Sequence, residues 1–121
     1  MKNQTYRMTM LYDFYGELLT DRQKEFFDLY YNEDLSLGEI AENNGISRQG
    51  VRDVIVRAEA TMQEFEDKTG LIRRFHTMKQ QLQQVRDDAV RMREIAIGMD
   101  HFELETLSAR IMDTTDTLLK E

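Results

Sequence analysis

The sequence predicts an all-α protein: a helix-turn-helix bundle over residues 1–70, followed by a heptad helical hairpin over residues 71–121. Three observations carry that expectation. The chain has no Pro, and its long runs draw on Glu, Gln, Lys, Arg, Leu, Met and Ala, the residues that lose least in a helix. Two capping boxes, Thr20 with Gln23 and Ser36 with Glu39, mark helix starts at which each side chain satisfies a free backbone N–H. An apolar stripe repeats by fours and threes from Leu71 to Met99, the period of a helix packed along one seam.

The polar residues 1–7 read as a frayed end. The first helix runs from about Met8 to Leu19, with Met8, Leu11, Tyr12, Tyr15, Leu18 and Leu19 on its apolar side. Gly16 inside it costs about 1 kcal/mol against Ala, which points to a close helix crossing. Thr20 opens a second helix, from Asp21 to about Asn32, carrying Phe26, Phe27, Leu29, Tyr30 and Tyr31. Asn32-Glu33-Asp34 is a loop. Ser36 and Glu39 then cap a short third helix with Ile40 and Ala41 on its inner face. Asn43-Asn44-Gly45 stops it, because Gly takes the left-handed conformation without a Cβ clash, and Ile46 turns inward. Ser47 caps a fourth helix whose apolar positions are Val51, Ile55, Ala58, Met62 and Phe65, with Thr69-Gly70 ending it. Two helices joined by a short glycine turn make a helix-turn-helix, built here by Ser36, Glu39, Ala41, Gly45, Ile46, Ser47 and Val51.

In the second half, Leu71, Phe75, Met78, Leu82, Val85, Ala89, Met92, Ala96 and Met99 form the heptad stripe. A helix from Leu71 to Ile97 would be about 40 Å long. Gly98-Met99-Asp100 reads as a turn, with Asp100 and Glu103 as an acidic cap for a last helix carrying Leu104, Leu107, Ile111, Thr114 and Leu118. Two such helices joined by a tight turn form an antiparallel hairpin. Its apolar surface exceeds what one helix covers, so it either packs on the first unit or forms a homodimer. Phe75, Met78, Leu82, Val85, Met92, Leu104, Leu107 and Ile111 are the expected dimer or partner surface. Met78, Met92 and Met99 read as core; the sharper reading is an adaptable surface for a partner helix.

Charge narrows the function. Net charge is −7, and residues 1–70 hold 8 basic against 14 acidic side chains. Affinity for nucleic acid rests largely on neutralising phosphates, so such a domain binds DNA weakly, through a local basic patch. Arg48, Gln49 and Arg52 at the start of the fourth helix are that patch: Arg pairs bidentately with guanine and Gln with adenine. Arg57 reaches a phosphate from further along. The competing reading is a solvated helix face whose cations pair with Asp53 and nearby acids. Gly50 gives clearance in the turn rather than a ligand contact.

Other classes recede. There is no Cys, which removes disulfides and thiolate metal sites and fits a reducing cytoplasm. The first residues lack a signal-peptide pattern, and no apolar run approaches the roughly 18 residues of a membrane span, so a cytoplasmic protein without membrane insertion is expected. His76 and His101 fit no metal motif, and no nucleophile–base grouping or phosphate-cradling glycine loop is present. The expectation is a non-enzymatic protein without metal or cofactor.

The segment LLTDRQKEFFDLYYNEDLSLGEIAENNGISRQGVRDVIVRAE, Leu18 to Glu59, resembles region four of bacterial sigma factors, which reads a promoter element. The whole chain, including MTMLYDFYGELLTDRQ and RRFHTMKQQL, resembles the YlxM family of small helical proteins of Gram-positive bacteria. Genes of that family commonly neighbour the gene for the signal recognition particle GTPase. The resemblance therefore implies a regulatory or adaptor role in signal-recognition-particle-dependent targeting, with the particle's protein or RNA as partner. A DNA-binding transcriptional regulator is the alternative.

Overall fold

A computed structural model describes the backbone of residues 2–120 and the side chains of residues 5–120. Among them the chain forms six α-helices and no strand: α1 (Lys2–Tyr15), α2 (Asp21–Tyr31), α3 (Leu37–Asn44), α4 (Arg48–Thr69), α5 (Leu71–Gly98) and α6 (Phe102–Lys120). Contacts divide it into two compact units, Met1–Ile72 and Arg73–Glu121.

In the first unit the local signals act as expected. Gln23 N–H donates to Thr20 Oγ1 at 3.2 Å while Thr20 N–H donates to Gln23 Oε1 at 2.9 Å. Ser36 and Glu39 exchange the same pair of bonds at 3.1 and 3.2 Å. Gly45 closes α3 at φ 64° and Gly70 closes α4 at φ 62°, both left-handed.

α4 is the spine of the core. Its upper turns, Val51 and Ile55, pack with Phe26, Ile40 and Ala41. Its later turns, Ala58 and Met62, pack with Met8, Leu11, Tyr15, Leu19 and Phe27. Adjacent Phe26 and Phe27 on α2 thus serve different clusters, which fixes the roll of α2 against α4.

The first helix departs from expectation at both ends. Residues 2–7 are helical rather than frayed, while Met1 lies outside the described residues. Arg7 hydrogen-bonds Gln63 of α4, a tertiary contact that carries the helix past the apolar stripe, and within α1 Thr9 Oγ1 donates back to the Thr5 carbonyl at 2.9 Å. At the other end α1 stops at Tyr15, and Gly16–Leu18 tightens into a 3-10 turn. Leu18 is consequently 56% exposed instead of facing the core. A Cβ on buried Gly16 would sit 3.2 Å from the ring of Tyr12, one turn back in the same segment, so the closest approach there comes from that ring. Phe65 is 38% exposed, at the edge of the α4 stripe, with its ring stacked 6.2 Å from Tyr15.

Buried and half-buried phenols tie the helices together. Tyr15 Oη donates to Glu66 Oε1 at 2.6 Å and lies 2.6 Å from Thr69 Oγ1; Tyr31 Oη donates to Glu59 Oε1 at 2.6 Å. Burial raises the pKa of Tyr12, Tyr15 and Tyr31 above the ordinary 10.0, with further raising by Asp28, Glu66 and Glu59 respectively. A raised folded-state value means that the folded chain holds these protons more tightly than the unfolded chain. That stability is intact below about pH 10, the unfolded value, and is lost as pH rises through the folded values. The urea midpoint should therefore hold steady from about pH 7 to 9 and fall above about pH 10, with a shallower fall in Tyr31→Phe. An equally steep fall in that variant would remove Tyr31 from the account.

The second unit is an antiparallel pair of helices held by Arg86 of α5 against Asp116 of α6. Its seam differs from the expected stripe. The residues sealed between the helices are small: Ala89 and Ala96 on α5, Ser108 and Thr115 on α6. Both hydroxyls bond back within their own helix, Ser108 to the Leu104 carbonyl at 2.7 Å and Thr115 to that of Ile111 at 2.9 Å. Phe75 and Leu82 are half-buried. The other large stripe residues lie outside: Met78, Val85, Met92 and Met99 are 45–66% exposed, and Leu104, Leu107, Ile111 and Leu118 are 38–43% exposed. These methionines are therefore surface rather than core.

The turn also differs. Asp100, at φ 54°, takes the left-handed position, so it cannot cap α6. His101 does so instead, its Nδ1 accepting from Leu104 N–H at 3.2 Å. No described helix is long and apolar enough to cross a membrane.

Candidate functional site: the recognition helix face

The site is the outward face of α4, the second helix of the helix-turn-helix. Ser47 sets its start by accepting Gly50 N–H at 2.9 Å. A Cβ on residue 50 would meet that same Ser47 Oγ at 3.2 Å, so glycine keeps the cap open. Val51, Ile55, Ala58 and Met62 bury one side completely, which turns the opposite side to solvent by helical geometry alone.

Arg48, Gln49, Arg52 and Arg57 are all exposed on that helix. Helical spacing does not group them as a continuous cationic patch. Gln49, Asp53, Val56 and Ala60 fall along the middle of the outward side; Arg48 and Arg52 lie to one edge and Arg57 to the other. Gln49 Nε2 donates to Asp53 Oδ1 at 3.0 Å, so the amide suited to adenine is already held by a carboxylate one turn on. Val56 adds an apolar side chain, 44% exposed, between the arginines. The middle of the face is therefore polar-neutral, acidic and apolar, with cations at its margins.

Sequence reasoning placed the four site residues on this helix but missed Val56 as part of the face. Its signal was present: Val56 breaks the polar side of an otherwise regular amphipathic pattern. The sequence also gave no notice of a neighbouring cleft at the start of α3, about 330 Å³ in volume, lined by Tyr30, Tyr31, Asp34, Leu35 and Glu39 among others. Asp34 and Glu39 set this cleft against anions, although a helix N-terminus opens onto it. Among the described residues, no three His, Cys, Asp or Glu side chains gather closely enough to hold a metal ion.

Comparison with known proteins places this geometry in a family. Residues 2–101 match the family described as "Putative helix-turn-helix protein, YlxM / p13 like". A UPF0122 protein of Thermoanaerobacter sp. (strain X514) is 49% identical over 87 residues, which are 72% of this chain and 74% of that protein. A UPF0122 protein of Halalkalibacterium halodurans is 46% identical over 87 residues, 72% of this chain and 80% of its own. One from Geobacillus kaustophilus is 46% identical over the same length, covering 79% of its own chain. With a helix-turn-helix closed by Gly45, a match across residues 2–101 and relatives near half identity, the chain belongs to the YlxM/p13-like family of helix-turn-helix proteins.

Proposed function

We propose that the protein is a non-enzymatic adaptor or regulator of the signal recognition particle pathway that uses its helix-turn-helix chiefly to dock protein. The Gln49–Asp53 pair carries this reading. A base-reading helix presents free amides and guanidinium groups to the groove, whereas here the centre of the face pairs its amide with a carboxylate and adds Val56. The excess of acidic side chains in residues 1–70 acts the same way, by repelling a phosphate backbone. The assignment to protein targeting rests on the family resemblance and its gene neighbourhood. A reducing cytoplasm, where that pathway operates, suits a chain without Cys.

The test is recovery of partners from native cytoplasm with and without nuclease. The targeting GTPase should remain bound after nuclease treatment; loss of every partner with the nucleic acid would overturn the adaptor reading.

Arg48 and Arg52 keep a second reading in play, because both are exposed at the end of the helix that reaches base edges in helix-turn-helix complexes. Duplex binding is expected to be weak and to fade between about 50 and 200 mM salt. Arg48→Ala with Arg52→Ala should abolish it without changing the helical circular dichroism signal, since neither side chain is buried. Nanomolar binding to one duplex at physiological salt, lost in that variant, would install a transcriptional regulator instead.

A further inference from the structure

The exposed rows of the C-terminal hairpin form one apolar face. On α5, Met78, Val85 and Met92 recur every seven residues; on α6, Leu104, Ile111 and Leu118 do the same. Each row stands in a fixed relation to the sealed seam. Val85 and Met92 precede Ala89 and Ala96 by four residues, and Leu104 and Ile111 precede Ser108 and Thr115 by four. The rotation from seam to row therefore has the same sense on both helices. Because the helices run antiparallel, equal rotations bring both rows to the same side of the hairpin. The other side carries the Arg86–Asp116 pair and a cleft whose lining includes Arg93, Glu105 and Asp113, with Ile97 and Phe102 exposed beside them near the turn.

Turning these side chains into the hairpin's own seam is not open to it. Alanine, serine and threonine already seal that seam, and its hydroxyls are satisfied within α6. We propose that the face is covered by the same face of a second copy of the chain, closing a four-helix bundle. Two observations select that occupant. The exposed area of the two rows with Met99 and Leu107 is roughly 700 Å² per chain, close to the ~800 Å² each partner gives a standard stable interface. Asp88, three residues after Val85 and four before Met92, lies exposed on the same side of α5, so the pairing keeps its carboxylate at the solvent-facing edge of the seam. The seven-residue repeat on both helices supplies the knobs and holes of bundle packing, and a two-fold pairing requires only that one face match itself. Leu104, Leu107, Ile111 and Leu118 lie beyond the span matched by the family, so α6 completes this face outside the matched residues. The assembly carries two helix-turn-helix units, which goes beyond the function proposed above.

Sedimentation equilibrium of the full chain tests it. The wild type should sediment at twice 14.4 kDa at micromolar concentration. Met92→Gln with Leu107→Gln keeps helix-forming residues on an exposed face and should raise the dissociation constant at least ~100-fold with unchanged helical signal. Val85→Asp should leave monomer only; where it loses helicity, the Gln pair decides. Asp113→Lys, on the side of α6 turned away from the rows, should leave the dimer intact. A monomeric wild type overturns the proposal and leaves the face to another protein's helix. A dimer unmoved by the Gln pair, or broken equally by Asp113→Lys, overturns it by placing the interface elsewhere.

Discussion

Phe27→Ala is expected to destabilise the helix-turn-helix unit by about 3–5 kcal/mol, as full removal of a buried phenyl ring does. Phe27 is 1% exposed. Its ring lies 4.8 Å from Tyr12, nearly parallel, and 4.6 Å from Tyr31. Neither neighbour is free to fill the space. The Tyr31 hydroxyl is bonded to Glu59 of α4, and Tyr12 is fixed on α1 opposite α2. The cavity therefore persists, adding its own term to the lost burial. Against a total stability of roughly 5–15 kcal/mol, the loss removes a large share of the folded population's margin. Urea titration should show a lower midpoint at unchanged slope. Phe65→Ala is the comparison: its ring is at the edge of the same cluster, partly in water, and the variant should lose far less. Equal losses for the two would mean that the stacked arrangement around Phe27 contributes nothing beyond area.

That contrast also separates what was legible in the sequence from what was not. Caps and stops are written locally. Thr20, Ser36 and Ser47 act within three residues of themselves, and Gly45 requires only its own dihedral angles. Helix starts that depend on distant contact are not written locally. Nothing near Lys2 announces a helix; Arg7 finds Gln63 across 56 residues of sequence. The hairpin shows a different limit. Apolar periodicity marks which side of a helix avoids water, but it weights large side chains. The seam actually sealed within the hairpin is made of Ala89, Ala96, Ser108 and Thr115, whose weak hydropathy lets the neighbouring Met and Leu rows dominate the pattern. At the last turn, Asp100 and His101 both have capping chemistry one residue apart. The left-handed backbone at Asp100 decides for His101, and no sequence rule weighs that choice. At the recognition face the arginines were legible as residue types. Their separation to opposite edges follows only when the buried stripe fixes the roll of α4.

Gly45→Val should cost about 2 kcal/mol or more, the second large effect expected of a single substitution. Gly45 sits at φ 64°, ψ 30°, with its N–H donating to the Ala41 carbonyl as the closing bond of α3. A Cβ built there meets nothing within 4 Å, so any penalty comes from the backbone and none from collision with a neighbour. The series Gly45→Asn, Gly45→Ala and Gly45→Val isolates that penalty. Asn tolerates the left-handed region and should lose least; Ala should lose about 1 kcal/mol; the β-branched Val should lose most. The consequence reaches the site, because Ile46 follows directly and its N–H also bonds to the Ala41 carbonyl at 3.2 Å. Two residues after Gly45, Ser47 starts α4, so a chain that refuses positive φ at this point re-aims the helix carrying Arg48, Gln49 and Arg52. Partner binding should accordingly fall in the order Asn, Ala, Val, in step with the midpoints of thermal unfolding. Partner binding that holds in Gly45→Val while stability drops would show that the docking surface lies away from α4. Stability that holds in Gly45→Val would remove the left-handed turn from the account of the fold.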